Sequence, residues 1–86
     1  MSNIDQISNE LLSIDADIST HAVKLQREKG EIVNTMNKAQ SAFGDQSAGQ
    51  GLVSTLYRTL QNINNAESSL QMVRQEIREY IQNLHK

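Results

Sequence analysis

Two heptad arrays of apolar residues, separated by a glycine-rich stretch, constrain the fold of this chain most. In the first array an apolar residue recurs at every seventh position: Ile4, Leu11, Ile18, Leu25, Ile32 and Ala39. The second array has the same spacing: Leu56, Ile63, Leu70, Ile77 and Leu84. Unbroken apolar columns at this spacing predict two long helices that meet along one narrow contact line, the seam.

The stretch over residues 41–52 contains three of the four glycines and predicts a turn. Gly44 is placed to adopt the left-handed conformation that ends a helix, and Asp45 or Ser47 can cap the next one. We therefore predict an all-α, antiparallel two-helix hairpin in a single domain. Helix 1 is expected over about 3–43, the turn over 44–47 and helix 2 over about 48–85. A flexible linker between separate helices is the alternative.

The polar interruptions of the arrays predict how the two helices align. The second column of the first array contains Ile7, Ile14, His21, Glu28, Thr35 and Ala42. The second column of the other array contains Val53, Leu60, Glu67, Arg74 and Ile81. If the numbers of facing residues add to 95, the polar positions meet, with His21 opposite Arg74 and Glu28 opposite Glu67. Polar layers of this kind specify register in coiled coils.

Composition and charge disfavour several functions. The formal net charge is -2 and no basic run is present, so nucleic acid and anionic membranes are poor candidates for partners. The N-terminus lacks the features of a cleaved signal peptide, and no apolar run approaches membrane-spanning length. We expect a cytoplasmic protein, or one that is co-secreted by a route that needs no signal peptide.

Two pairs of titratable residues are the candidates for chemistry. His21 with Arg74 could be a catalytic or switching pair, and Glu28 with Glu67 could be an acid/base pair or a metal site. A two-helix hairpin offers no cleft, however, and the sequence has no nucleophile–base spacing, phosphate-binding loop or metal-ligand cluster. We expect His21 and Arg74 to form a polar layer at the edge of the seam, and Glu28 and Glu67 to be exposed glutamates that reach solvent. We expect no enzymatic activity, no cofactor and no metal.

Apolar residues beside the predicted seam are candidate contacts for a partner. Met36, Phe43 and Tyr57 lie near the turn, whereas Ile4, Ile7, Val73 and Tyr80 lie towards the open end. A lone two-helix hairpin is only marginally stable. We therefore expect another helical pair to dock here and complete a four-helix bundle. Ordinary scattered exposure of apolar side chains is the alternative.

With this hairpin drawn, the chain resembles the WXG or ESAT-like small helical proteins of type VII secretion. In the segment AFGDQSAGQGL, Phe43 stands where that family has the aromatic residue of its Trp-x-Gly turn, and Gly44 follows directly. The chain departs from the family pattern in having no tryptophan and no Tyr-x-x-x-Asp/Glu sequence near its C-terminus. It is most similar to the small helical partners of LXG-type toxins.

The resemblance implies a non-enzymatic targeting factor or chaperone that binds the helical N-terminal domain of an LXG-type toxin. Phe43 and the flank formed by Met36 and Tyr57 would contact that domain. The implied partners are the toxin domain, a second small helical protein, or a second copy of the chain. The alternative from a different class is a self-assembling structural protein, such as a component of a secretion needle or a phage.

Overall fold

The computed structural model describes residues 3–44 and 46–86, which form two long helices packed antiparallel. Helix α1 spans Asn3–Phe43 and helix α2 spans Ser47–Leu84. The Cα atoms extend over 65 × 15 × 11 Å, so the molecule is a rod two helices wide. The predicted fold class is confirmed, and α2 begins and ends one residue earlier than expected.

The turn confirms the prediction for Gly44 and corrects that for Ser47. Gly44 has a positive φ of 57°, and its N–H donates to the carbonyl of Gln40 at 2.9 Å. Gln46, not Ser47, occupies the N-cap position of α2, and its side chain makes no capping hydrogen bond. Ser47 is the first residue of the helix and therefore does not cap it. Asp45, the other predicted cap, lies outside the described residues.

The seam on α2 follows both predicted columns, whereas the seam on α1 follows only one of them. On α1 the seam consists of the apolar column and a second column, and all members of this second column are buried or half-buried: Ser8, Asp15, Ala22, Lys29 and Met36. The second column predicted for α1 was wrong, because all its members are exposed: Ile7, Ile14, His21, Glu28, Thr35 and Ala42. The real column lies four residues after the apolar one, not three.

Electrostatics explains this choice. The predicted column would have set Glu28 against Glu67 and His21 against Arg74, and like charges in one layer repel. The observed column instead brings the Lys29 ammonium to Glu67 and the Asp15 carboxylate to Arg74. Two opposite-charge pairs across the interface therefore replace the like-charge layer, while Ile7 and Ile14 remain exposed.

The register differs from the predicted one by almost one helical turn. The numbers of contacting residues add to 93 for Ser8 with His85 and for Gln26 with Glu67. They add to 92 for Phe43 with Gly49. For the two ion pairs, whose side chains are long, the residue numbers add to 96 for Lys29 with Glu67 and to 89 for Asp15 with Arg74. If the sum is 92, every buried or half-buried seam residue of α1 between positions 8 and 39 lies opposite a buried or half-buried residue of α2. The predicted sum of 95 is therefore wrong.

The core is thin. Among the described apolar residues, Ile18, Ala39 and Ile77 are buried. Ser8 is also buried, and the other seam residues between Leu11 and Leu84 are half-buried. The accessible surface is 6375 Å², whereas a compact monomer of 9.6 kDa would expose about 5,100 Å². Large areas on both sides of the seam are therefore open to solvent.

Candidate partner-binding surfaces

The middle of the seam holds a three-residue polar cluster. The Glu67 carboxylate accepts hydrogen bonds from Gln26 Nε2 at 2.6 Å and from Lys29 Nζ at 2.8 Å. The Glu67 side chain is 17% exposed, so much of its hydration has been replaced by these two donors. Both carboxylate oxygens of Glu67 therefore accept a hydrogen bond from α1.

A second polar contact lies nearer the open end. Arg74 donates from Nε to Asp15 Oδ1 at 2.9 Å and from Nη2 to Asp15 Oδ2 at 3.3 Å. These hydrogen bonds hold the pKa of Asp15 below its usual value and raise that of Arg74 above its own. Both groups are therefore charged at neutral pH and neutralise each other.

The structure does not assemble the two pairs that were candidates for chemistry. His21 and Glu28 are exposed on α1, while Arg74 and Glu67 are engaged by Asp15, Gln26 and Lys29. Within residues 3–44 and 46–86, no group of three or more histidine or acidic side chains could hold a metal ion. What the described surface offers instead is shape and apolar area.

The turn end of the hairpin carries a groove of about 310 Å³. It is lined by Met36, Gln40, Gly44, Gly49, Gln50, Val53, Ser54 and Tyr57. Met36 and Tyr57, predicted as one binding flank, therefore do line one groove. Tyr57 is 54% exposed and Phe43 is 42% exposed, so aromatic surface is available at this end. Whether a partner uses it stays a prediction.

Gly49 shapes the turn end because it packs against Phe43. A Cβ added at Gly49 would overlap Phe43 Cβ, and it would lie 3.2 Å from Phe43 Cγ. Gly49 is buried and lies four residues, about one helical turn, before the seam residue Val53. A glycine is required here because the two backbones approach too closely for any side chain.

A second groove of about 350 Å³ lies further along the same side of the hairpin. It is lined by Gln26, Lys29, Gly30, Val33, Leu60 and Asn64. Gly30 lies in the interior of α1, and a Cβ added there would meet nothing within 4 Å. The fold of one chain therefore gives no reason for glycine at this position.

The other side of the hairpin carries an apolar patch near the open end, which we call the open-end patch: Ile7, Ile14, Val73 and Tyr80. Helical spacing places these four residues on the side of the seam away from the grooves, and all are exposed. Ile7, Val73 and Tyr80 were predicted as partner contacts, whereas Ile14 had been assigned to the seam. Ile4, the remaining predicted contact, is also exposed.

Sequence reasoning missed Ile14, and also Leu12, Val23, Val33, Leu52 and Met72, which are exposed on the described helices. The signal that could have identified Ile14 was the charge of its own column. A column that contains Glu28 would have faced Glu67, so it was the less favourable choice for the seam.

Comparison of the chain with known protein families, with curated proteins and with solved structures found no match. In the part of the chain that the structure describes, neither helix contains an apolar stretch long enough to cross a membrane.

Proposed function

We propose that this hairpin is a non-enzymatic binding module that docks helices of another protein and completes a four-helix bundle. The observation that carries the proposal is the mismatch between the apolar stripe of α1 and the seam. At the open end of α1 the apolar residues include Ile7, Leu12 and Ile14, but the seam runs through Ser8, Leu11, Asp15 and Ile18. Helix α2 therefore leaves Ile7 and Ile14 exposed on one side of the seam and Leu12 exposed on the other.

A stripe wider than one helix can cover is typical of bundles, in which each helix has two neighbours. Val73 and Tyr80 extend the same apolar area onto α2 and are 39% and 54% exposed. A second helical pair laid on the open-end patch would bury these side chains together with Ile7 and Ile14. The thin core described above supports the same interpretation, because docking would add the buried area that the hairpin lacks.

The more specific proposal is a targeting factor or chaperone for an LXG-type toxin in type VII secretion. Its support is the resemblance of the turn, where Phe43 precedes the left-handed Gly44, together with the hairpin architecture. In this proposal the partner is the helical N-terminal domain of the toxin. Its contacts are Phe43, the flank formed by Met36 and Tyr57, and the open-end patch.

Self-assembly into a polymer is the alternative, and one observation favours it. Exposed aromatic residues lie on opposite sides of the hairpin, with Tyr57 beside a groove and Tyr80 in the open-end patch. Contacts between two different surfaces of identical molecules can propagate without closing. Filaments of the pure protein that lengthen with concentration would support this alternative.

The test is co-expression with the helical N-terminal domain encoded by a neighbouring gene, followed by mass measurement of the purified complex. Val73→Glu should abolish the complex, because it puts a charge into the open-end patch. Met72→Glu is the matched control, since Met72 is the adjacent residue, is 62% exposed and points away from the patch. The proposal fails if the complex survives Val73→Glu, or if both variants disrupt it equally.

A further inference from the structure

The open-end patch is bordered by three exposed acidic residues, which we call the acidic rim: Glu10, Asp17 and Glu76. Each glutamate comes three residues after one member of the patch and four residues before the next, and Asp17 comes three residues after Ile14. Residues at these spacings are neighbours on one face of a helix. Helical spacing also places the three carboxylates further from the seam than the patch, so they border its outer edges on both helices.

Asp17 and Glu76 lie at about the same level of the hairpin, on opposite edges of the patch. Their residue numbers add to 93, which is also the sum for the contacting pair Ser8 and His85. Glu10 precedes Asp17 by seven residues, which is about 10.5 Å along the axis of α1. The negative border therefore accompanies the apolar side chains of the patch along α1 and is closed on α2 by Glu76.

The carboxylates of the acidic rim are not neutralised within residues 3–44 and 46–86. None of the three makes an ion pair there, and none has a lysine or arginine three or four residues away on its own helix. The two acidic residues of the seam, by contrast, are held by basic partners: Asp15 by Arg74 and Glu67 by Lys29. The charge of the acidic rim is therefore available to a partner that covers the patch.

The sign of this charge decides between the possible occupants of the patch. Under a two-fold axis a patch meets itself, so a second copy bound here would bring Asp17 and Glu76 against the same carboxylates, and like charges repel. Nucleic acids and anionic membranes carry the same sign of charge as the rim. Opposite charges beside an apolar helix contact, by contrast, determine which helices pair and in which orientation.

We propose that the partner of the open-end patch is a cationic amphipathic helical pair, in which lysine or arginine residues border an apolar stripe. This inference rests on the proposed function, because it describes the partner of that same site. Since Glu10 and Asp17 are seven residues apart, the partner helix next to α1 carries two basic residues seven positions apart, beside apolar residues at heptad spacing. The helix next to α2 carries a basic residue opposite Glu76.

The acidic rim acts mainly on the rate of association. Exposed ion pairs contribute little to affinity, whereas complementary charge raises the association rate constant by about tenfold or more at low salt. Salt screens exposed charges over about 10 Å at 0.1 M ionic strength, so this gain is lost at high salt. We therefore expect the complex to form faster at low ionic strength, while its dissociation rate changes much less.

Stopped-flow mixing of the full chain with the helical N-terminal domain used for co-expression, at low and at high ionic strength, tests the inference. The triple variant Glu10→Gln, Asp17→Asn and Glu76→Gln removes three charges and keeps the size of each side chain. At low salt it should form the complex about tenfold more slowly than the parent, and its rate should depend much less on salt. Circular dichroism should show the variant as helical as the parent.

The matched control removes three negative charges from exposed positions outside the acidic rim: Asp5→Asn, Glu31→Gln and Glu79→Gln. Asp5 is in the column of Gln26, which lines a groove on the other side, and Glu79 is in the column of Met72. Glu31 is 14 residues beyond Asp17, about 21 Å along α1 and more than a Debye length away. The control has the same net charge as the rim variant, and it should change the association rate by less than about twofold.

The two triple variants separate this inference from the binding function. If the complex forms and is lost in Val73→Glu, but the rim and control variants associate equally fast, the inference is wrong and the binding function stands. A parent association rate that does not fall with salt has the same consequence. If no complex forms, both fail.

Charge exchange across the contact gives a second readout. Asp17→Lys should slow association, and replacing the facing basic residue of the partner by glutamate should restore the rate. The inference is also overturned if no such replacement among the basic residues of the partner restores it, or if the partner carries acidic residues beside its apolar stripe.

Discussion

Arg74 holds Asp15 with two parallel hydrogen bonds across the seam, from Nε to Oδ1 at 2.9 Å and from Nη2 to Oδ2 at 3.3 Å. A guanidinium that engages both carboxylate oxygens allows little sliding, because a shift of one residue would break the second bond. This pair therefore favours the observed alignment of α1 with α2, although the long Arg74 side chain reaches Asp15 from almost one helical turn away along the seam.

The ion pair between Asp15 and Arg74 should make the free energy of unfolding depend on pH. Hydrogen bonds from Arg74 lower the pKa of Asp15 from its usual 3.8, so the ionised carboxylate stabilises the folded state. That contribution is complete above the unfolded-state pKa and is lost as the pH falls through the lower, folded-state pKa. We expect Asp15→Asn to lower the urea midpoint at neutral pH, and the difference from the parent to vanish in strong acid. Asp17→Asn, at an exposed position, is the control. A loss that is equal at neutral and acidic pH would contradict the assignment.

Gly49 should tolerate no side chain. Gly49→Ala forces a methyl group into Phe43 and should cost about 1–3 kcal/mol of unfolding free energy, the usual range for overpacking. Gly51→Ala is the matched control, because it is a helical glycine with open space around its Cα. That variant should stabilise α2 by up to about 1 kcal/mol. Urea unfolding of both variants gives the comparison, and similar effects of the same sign would show that Phe43 and Gly49 do not pack as described.

Two isoleucines on α1 distinguish the real seam from the predicted one. Ile18 is buried and Ile14 is 48% exposed, although the sequence placed both in the seam. Ile18→Ala should cost about 2 kcal/mol, the low end for a buried isoleucine, because the core is thin. Ile14→Ala should change the free energy of unfolding by less than about 0.5 kcal/mol. Thermal melts of dilute protein give the comparison, and reversed effects would restore the predicted column.

The two glutamates of the predicted like-charge layer give a further test. Glu67→Gln removes one end of the ion pair with Lys29 and should destabilise the hairpin by about 1 kcal/mol. Glu28→Gln, at an exposed position, should have little effect. If the two carboxylates instead faced each other, neutralising either one would stabilise the hairpin. Chemical denaturation at low ionic strength separates the outcomes, because salt screens the ion pair.

Much of the fold could be predicted because its signals are local or strictly periodic. The helix ends were placed within one residue, since proline is absent and Gly44 marks the stop. Both columns of α2 were correct, because its apolar residues at spacings of three and four leave one choice. On α1 the second column of the seam could begin three residues after Ile4, at Ile7, or four residues after it, at Ser8. The more apolar column, with Ile7 and Ile14, was chosen wrongly.

The positions of the candidate contact residues on the hairpin were predicted only in part. Met36 and Tyr57 were expected together and do line one groove, because both lie next to the seam near a turn whose position was known. Val73 and Tyr80 were correctly placed towards the open end. The side of the hairpin on which they lie, however, depends on which residues form the seam. Since the seam on α1 was misassigned, Ile14 was not recognised as the fourth member of the open-end patch.

By itself, the sequence determined two long helices, a left-handed glycine between them and an antiparallel hairpin, because backbone preference and heptad spacing act within a few residues. Only the tertiary structure decided the register and the exposed faces. Those depend on which charges meet across the interface, where Lys29 reaches Glu67 and Arg74 reaches Asp15. Such pairings join residues far apart in the chain. Hydrophobic periodicity alone cannot rank them, because a column of Ser8, Asp15 and Lys29 becomes favourable only when its partners lie opposite.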